Sequence, residues 1–138
     1  MSRGIQVQYR KVAKYKYLVT VSTAYQTPIK GFVAEAKDNA GEVMARLEED
    51  GRMYVFRGYA WDGPSGPTID TPDWMDPSLV HDVFYQFLRS GELPKKLRKK
   101  IDKFMFKMLL REGMSRFRAR YSYIFVRLFG GPAARRRK

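Results

Sequence analysis

The chain has 138 residues, the length of one domain, and its 44% of hydrophobic residues are enough to build a single core. It contains no cysteine, which excludes a disulfide framework and every thiolate zinc site and suits a reducing compartment. Its formal net charge of +13 attracts phosphate, whether on nucleic acid or on an anionic lipid leaflet.

The start of the chain and its apolar runs bear on membranes. Residues 1–6 lack the apolar core of a signal peptide. No apolar run approaches the roughly 20 residues that a membrane-spanning helix needs. We therefore expect no signal peptide and no transmembrane segment, and a protein that is soluble or at most lies on a membrane.

The positive charge is concentrated in two stretches of the sequence. One runs from Lys95 to Lys100, and the other from Arg111 to Lys138. Two interpretations remain open, a solvated helix face with a frayed tail or surfaces that bind phosphate. We predict a single domain over residues 1–131 and a basic, flexible tail over residues 132–138.

Residues 5–60 have the pattern of short β-strands. Residues 17–21 are rich in β-branched and aromatic types, as half-buried strands require. Residues 43–47 and 53–59 flank Gly51, which can adopt a positive φ, and this pattern predicts a hairpin. The first half of the chain is therefore expected to form a small antiparallel sheet.

A loop and a helix follow the strands. Residues 61–73 contain two glycines, three prolines and three aspartates, a mixture that neither a helix nor a central strand tolerates. The pattern then becomes helical from about Asp76 or Ser78, either of which can cap the helix, to about Ser90. The apolar stripe of this helix consists of Val80, Val83, Phe84, Phe87 and Leu88.

Two further helices complete the predicted fold. The second, at residues 95–112, is strongly amphipathic, with lysines opposite its apolar face. The third, at residues 115–129, is expected to turn five residues inward: Phe117, Tyr121, Ile124, Phe125 and Leu128. The predicted fold class is α+β, a small antiparallel N-terminal sheet followed by three helices, of which the first two form an antiparallel pair.

The single histidine, His81, is the centre of the candidate site. Asp82 follows it, and Tyr85 lies one turn further along the same face of the helix. A histidine acts as a general base when its second nitrogen is held, typically by a carboxylate, and Asp102 on the second helix is the candidate. We predict a hydrogen bond between His81 and Asp102. It either prepares the histidine for catalysis or only ties two helices together.

The loop before the first helix suggests a cation site. Calcium takes oxygen ligands from carboxylates and from the carbonyl groups of loops. Asp82 is the first candidate ligand, and Asp62, Gly63 and Gly66 in the loop complete the predicted set; Asp70 and Asp73 are further possible ligands. Aspartates in loops of this composition also cap turns, and that interpretation remains open.

The sequence His-Asp-Val-Phe-Tyr at residues 81–85 resembles the His-Asp-x-x-Tyr signature of phospholipase A2 enzymes, and Asp102 resembles their supporting aspartate. The resemblance implies that His81 activates water, Asp82 binds calcium, Asp102 orients the histidine and Tyr85 adds a supporting hydrogen bond. The chain differs from that family in having no cysteine and in the sequence of its glycine-rich loop.

The chain is also similar to a family of small uncharacterised phage proteins. In that family an Asp-containing loop precedes a His-Asp-x-x-Tyr helix, an Asp-bearing helix and an aromatic helix that ends in Arg-x-x-Gly, here Arg127 to Gly130. The similarity covers roughly residues 56–130. It implies a phage origin, in the virion or in the host cytoplasm, and it implies no particular activity.

Three functions remain open from the sequence. The first is a calcium-dependent hydrolase of lipids or related esters at the host envelope, held on an anionic membrane by its basic C-terminal third. The second is a non-catalytic virion or tail-assembly component whose basic surfaces contact DNA or other phage proteins. The third is a nucleic-acid-binding module, whose affinity would fall steeply with salt.

Overall fold

The computed structural model describes residues 6–13, 16–62 and 72–135 of the chain. In these ranges seven antiparallel strands precede four helices, which confirms the predicted α+β class. The strands are β1 Gln8–Ala13, β2 Lys16–Val21, β3 Thr23–Gln26, β4 Ala34–Lys37, β5 Val43–Leu47, β6 Arg52–Val55 and β7 Ala60–Trp61.

The described strands form two sheets where the sequence predicted one. A three-stranded sheet has the order β1-β2-β7, and a four-stranded sheet has the order β3-β6-β5-β4. The chain changes sheets at Ser22, whose hydroxyl accepts a hydrogen bond from the Arg57 N–H at 2.8 Å. The predicted hairpin is confirmed as β5–β6, and Gly51 in its turn has a φ of 89°. A Cβ at Gly51 would lie 2.3 Å from the Thr27 carbonyl oxygen, so this turn requires glycine.

The helices follow in the second half of the chain. They are α1 Pro72–Arg89, α2 Arg98–Arg111, α3 Arg116–Phe129 and α4 Gly131–Ala134, and a 3₁₀ turn at Lys95–Leu97 precedes α2. Helices α1 and α2 run antiparallel, as predicted. His81 on α1 contacts Asp102 on α2, and Tyr85, one turn later, contacts Arg98, one turn earlier. This register places the candidate site in the middle of the helix pair.

Helix α1 begins earlier than the sequence predicts. It starts at Pro72, and proline suits a first turn because the N–H that it lacks would have no partner within the helix. With this earlier start, His81 lies in the middle of the helix and not near its beginning. Asp76, expected as a cap, is buried within the helix. Its carboxylate accepts hydrogen bonds from the N–H groups of Gln6 and Val7 and from the Tyr25 hydroxyl, at 2.5 to 2.9 Å. These distant partners satisfy the buried acid, and sequence spacing does not reveal them.

The apolar faces of α1 and α2 form the core as predicted. All five residues of the predicted α1 stripe are buried, and the lysines of α2 are exposed on its opposite face. The residues that α2 buries include Ile101, Phe104, Met105 and Met108. The main core cluster joins both helices to both sheets, through Val19 and Trp61 in the first sheet and Leu47 in the second.

Helix α3 is rotated relative to the prediction. Ser115 caps it, since the serine hydroxyl accepts a hydrogen bond from the Arg118 N–H at 3.2 Å. The residues that it buries fully are the small Ala119 and Ser122, which allow a close approach to α2. The expected inward stripe is wrong: Phe117, Tyr121, Ile124 and Leu128 are 45 to 83% exposed, and Phe125 is half-buried. Periodicity identified the apolar face but not the direction in which it points.

The last helix extends the packed part of the chain past residue 131, where the predicted domain ends. Ala134 in α4 is buried, and the Arg89 guanidinium donates to the Ala133 carbonyl oxygen at 3.0 Å. Residues 136–138 of the predicted tail lie outside the described residues. Among the described helices, none is long and apolar enough to cross a membrane.

Candidate active site

A fully buried carboxylate, Asp102, is the centre of the site. Its Oδ1 lies 2.7 Å from Nε2 of His81 and accepts a hydrogen bond from the Tyr85 hydroxyl, also at 2.7 Å. Its Oδ2 accepts a hydrogen bond from Nη1 of Arg127 at 2.7 Å, and Nε of Arg98 lies 3.9 Å from the same oxygen. The structure thus brings together the three residues predicted as a catalytic set and adds two arginines.

Helix α1 presents His81 and Tyr85 to Asp102 because the two residues are four apart on one face. Their ring centroids are 4.1 Å apart, and the rings are inclined at 38°. The buried Tyr85 hydroxyl donates to Asp102 and accepts a hydrogen bond from Nε of Arg98 at 3.0 Å. The tyrosine hydroxyl is therefore held by one acceptor and one donor, and the tyrosine ring packs against the imidazole.

The arginines connect this pair of helices to α3. Nη2 of Arg98 donates to the carbonyl oxygens of Val126 and Arg127, at 2.8 and 3.1 Å, in the last turns of α3. Gly130 follows this helix, and a Cβ there would lie 2.6 Å from the Val126 carbonyl oxygen and 3.0 Å from the Tyr85 hydroxyl oxygen. Three helices and a glycine that leaves room for them converge on one carboxylate.

Sequence reasoning assigned neither arginine to the site, although the sequence held a signal for each. Arg98 precedes Asp102 by four residues on α2, the spacing at which opposite charges meet on one face of a helix. Arg127 is the single charged residue between Tyr121 and Phe129. A cation within such an apolar stretch indicates a partner of opposite charge in the interior.

Asp102 is ionised despite its burial. Desolvation raises the pKa of its carboxyl group, but the hydrogen bond and charge of His81 and the hydrogen bonds from Tyr85 and Arg127 outweigh that effect. The net result is a pKa below the ordinary value for aspartate. Because an ionised carboxylate only accepts hydrogen bonds, Nε2 of His81 carries the proton of the 2.7 Å contact.

The second nitrogen of His81 is available for chemistry. Among the described residues Nδ1 has no hydrogen-bond partner, and the His81 side chain is 14% exposed. In a neutral imidazole with its proton on Nε2, Nδ1 is an acceptor with a lone pair. The arrangement can therefore take a proton from a water molecule or a hydroxyl group placed at Nδ1.

Asp82 faces a different set of groups. Burial raises the pKa of its carboxyl group; the charge of Arg89 opposes this effect, and the charge of Asp62 adds to it. No described residue forms a hydrogen bond with the Asp82 side chain.

Tyr59 lies near Asp82 and was not predicted from the sequence. The pKa of Tyr59 is raised by burial and by the charge of Asp82. Its hydroxyl donates a hydrogen bond to Gln86 at 2.7 Å.

The other predicted calcium ligands are only partly covered by the structure. Asp62 is exposed and forms an ion pair with Lys16 at 4.0 Å, and Gly63 and Gly66 lie outside the described residues. Within the described ranges, no three histidine or acidic side chains gather as a metal site would. Asp82 is a half-buried carboxylate without a hydrogen-bond partner among the described residues. A bound cation would balance its charge.

Comparisons with known proteins do not identify a family or a function for this site. No protein-family model, no curated protein and no solved structure matches the chain. The likeness to phospholipase A2 enzymes and to phage proteins therefore stays a prediction from the sequence motif.

The tautomer of His81 provides a direct test of its contact with Asp102. In protein labelled with ¹⁵N, we expect the neutral imidazole to carry its proton on Nε2, and we expect that proton to exchange slowly with water because Asp102 holds it. Long-range proton–nitrogen NMR spectra measure both properties, and a chain with one histidine needs no assignment. The urea-unfolded chain is the control, in which the same proton should exchange rapidly. A proton found on Nδ1 of the folded protein would contradict the contact.

Replacing Asp102 by Asn should destabilise the fold in a pH-dependent way. The amide does not balance Arg127 and His81, and we expect the free energy of unfolding at pH 7 to fall by about 3 kcal/mol. Because the folded-state pKa of Asp102 is lowered, its stabilising contribution is complete above the unfolded-state pKa of about 3.9 and is lost as the pH falls through the folded-state value. The difference between wild type and variant should therefore shrink below about pH 4.

Urea unfolding curves at several pH values measure this difference. The matched control is Asp50→Asn, since Asp50 is exposed and accepts one hydrogen bond, from the Arg52 N–H. If Asp102→Asn lost no more stability than this control, the carboxylate would not be holding the helices together.

Proposed function

We propose that the protein hydrolyses carboxylic ester bonds of phospholipids, with His81 as the general base, and that it serves a phage at the host envelope. The observation that carries the proposal is the 2.7 Å contact between Nε2 of His81 and Asp102, with the Tyr85 hydroxyl on the same carboxylate oxygen. One imidazole nitrogen is held and the other is available, as a histidine base requires. The likeness of residues 81–85 to the phospholipase A2 signature supports the substrate class.

The proposed reaction is a direct attack by water on the ester. Nδ1 of His81 takes a proton from the water, whose oxygen bonds to the ester carbonyl carbon. The bond from that carbon to the glycerol oxygen then breaks, and the protonated imidazole returns the proton to the departing oxygen. The products are a fatty acid and a lysophospholipid. Asp102 stabilises the imidazolium without taking its proton, in keeping with its lowered pKa.

Asp82 is the residue that we propose to bind calcium. Burial raises the pKa of its carboxyl group, so a bound cation would stabilise the ionised form. Calcium would supply positive charge for the ester carbonyl oxygen, on which negative charge develops during the attack. Asp62, whose charge acts on Asp82, is the second proposed ligand, and Gly63 and Gly66 of the loop complete the proposed set.

An anionic membrane is the partner that the outer face of α3 fits best. Four large apolar residues of this helix are exposed on that face: Phe117 by 83%, Tyr121 by 45%, Ile124 by 48% and Leu128 by 69%. Exposed Arg116 and Arg120 belong to the same helix. A helix with an apolar face and neighbouring cations is suited to lying in the headgroup region of an anionic bilayer.

A groove beside this face has the same mixed chemistry. It lies between α2 and α3 and has a volume of about 500 Å³. Its lining consists of Phe106, Tyr123 and Ile124 together with the cations Lys103, Lys107 and Arg120. Apolar walls suit an acyl chain and cations suit a phosphate headgroup, which supports a lipid surface as the occupant.

A non-catalytic role is the second candidate, and the two arginines favour it. Arg98 and Arg127 balance the charge of Asp102 and anchor the end of α3, which a purely structural network would also require. In that role the protein would be a virion or tail-assembly component whose basic surfaces contact other phage proteins or DNA. Because such a network predicts no turnover, measuring activity separates the two candidates.

The test of catalysis is fatty-acid release from phosphatidylglycerol vesicles in the presence of calcium. We expect release by the wild type, a loss of at least about 100-fold in His81→Gln, and a loss on chelation of calcium. Glutamine retains an N–H that can donate to Asp102 but has no basic nitrogen, so the variant should fold. Equal unfolding midpoints of the two proteins would establish that the site, and not the fold, was changed.

If wild-type protein bound to the vesicles released no fatty acid with calcium present, the hydrolase proposal would be rejected. The structural role would then remain. Release that His81→Gln left unchanged would also reject it, since another group would be acting as the base.

The test of the membrane face is vesicle co-sedimentation of the double variant Phe117→Gln/Leu128→Gln. Both side chains are largely exposed, so the fold should be unaffected, and we expect binding to phosphatidylglycerol vesicles to weaken by at least about tenfold through lost apolar burial. The matched control is Val21→Gln/Val33→Gln, which removes two exposed apolar residues away from α3. Equal losses in both variants, or no binding by the wild type, would exclude this face as the membrane contact.

A further inference from the structure

The site arginines also line a cleft that the proposed reaction does not use. The cleft lies where α1, the 3₁₀ turn, α2 and the junction of α3 with α4 meet, and its volume is about 470 Å³. Six cationic residues line it: Lys95, Lys96, Arg98, Lys99, Arg127 and Arg135. The fold thus brings together the two basic stretches of the sequence, which are separated along the chain.

These charges are not balanced within the part of the chain that the structure describes. Among the described residues that line the cleft, none is acidic. The three lysines and Arg135 form no ion pair with a described acid, and the single carboxylate beside Arg98 and Arg127 is Asp102, which is also engaged by the histidine. Positive charges gathered around one cavity repel each other, and an anion bound among them would relieve that repulsion.

Part of the cleft is already fixed in position. Arg98 is anchored through Nε and Nη2, and Arg127 through Nη1. Nη1 of Arg98 and Nη2 of Arg127 have no hydrogen-bond partner among the described residues. Guanidinium groups held in this way can offer N–H donors to a phosphate without first losing side-chain freedom. The exposed lysines add charge around them.

We propose that this cleft binds the phosphate group of a ligand. The volume is within the range of small-molecule sites, and the lining supplies the fixed donors and the net charge that a phosphate requires. The proposal does not rest on ester hydrolysis and holds equally if His81 and Asp102 are purely structural. The phosphate belongs either to a soluble compound or to a lipid headgroup, two sources with the same chemistry.

Two probes separate these sources. Pyrophosphate, titrated into the protein at low ionic strength in a calorimeter, represents a soluble phosphate. Vesicles of phosphatidylcholine that contain phosphatidic acid, used in co-sedimentation, represent a lipid headgroup. Vesicles of phosphatidylcholine alone provide the uncharged background.

A matched pair of variants separates the cleft from the general charge of the protein. Lys95→Gln/Lys96→Gln/Lys99→Gln removes three charges from the cleft. Its control, with the same loss of charge in the N-terminal half, is Lys11→Gln/Lys30→Gln/Lys37→Gln, which lie in β1, in the loop between β3 and β4, and in β4. All six lysines are exposed, so both variants should unfold at the wild-type midpoint. Arg135→Gln provides a second variant of the cleft that leaves the lysines in place.

We expect the cleft variant to weaken the binding of at least one probe by about tenfold or more, and the control by less than about threefold. Weaker binding of pyrophosphate would identify a soluble phosphate as the ligand, and weaker binding of the phosphatidic acid vesicles alone would identify a headgroup. Arg135→Gln should weaken binding of the same probe. Equal weakening in cleft variant and control, or no binding of either probe by the wild type, would overturn the proposal.

Discussion

A carboxylate without contact to water determines how the C-terminal half of the chain is arranged. An ionised aspartate in the interior is stable only if neighbouring groups replace the hydrogen bonds that water would supply. Asp102 on α2 receives them from α1 through His81 and Tyr85 and from α3 through Arg127. The register of the first two helices and the position of the third therefore depend on one side chain.

The same requirement bears on the orientation of α3. Arg127 must reach Asp102, and this limits the rotations that the helix can adopt. In the rotation observed, Ala119 and Ser122 face inward, and the large apolar residues face outward. The exposed apolar face of α3 is thus a consequence of packing around the buried charge.

The arginines also join two parts of the molecule that would otherwise be independent. Arg98 and Arg127 hold Asp102 on one side and line the cationic cleft as well. An anion bound in the cleft and the Asp102 carboxylate would both interact with the guanidinium groups of Arg98 and Arg127. Occupancy of the cleft and the electrostatics of the histidine site would therefore be linked, in both directions.

Local patterns in the sequence were sufficient for most of the fold. The hairpin at Gly51, the apolar stripe of α1 and the antiparallel pair of helices follow from spacing, and so did the contact of His81 with Asp102. What spacing did not identify was which residues meet α3 across the fold, such as Asp102 as the partner of Arg127. The rotation of α3 depends on such contacts, since propensity and periodicity describe a helix without its neighbours.

Asp76 has a consequence for the order in which the chain folds. Its carboxylate binds the backbone of Gln6 and Val7, which lie 70 and 69 residues earlier. During synthesis Gln6 and Val7 leave the ribosome long before Asp76 does. Their N–H groups therefore cannot bind the Asp76 carboxylate until α1 has emerged. Contacts of such separation make folding slow and cooperative, and the N-terminal strands and α1 should therefore fold together rather than one after the other.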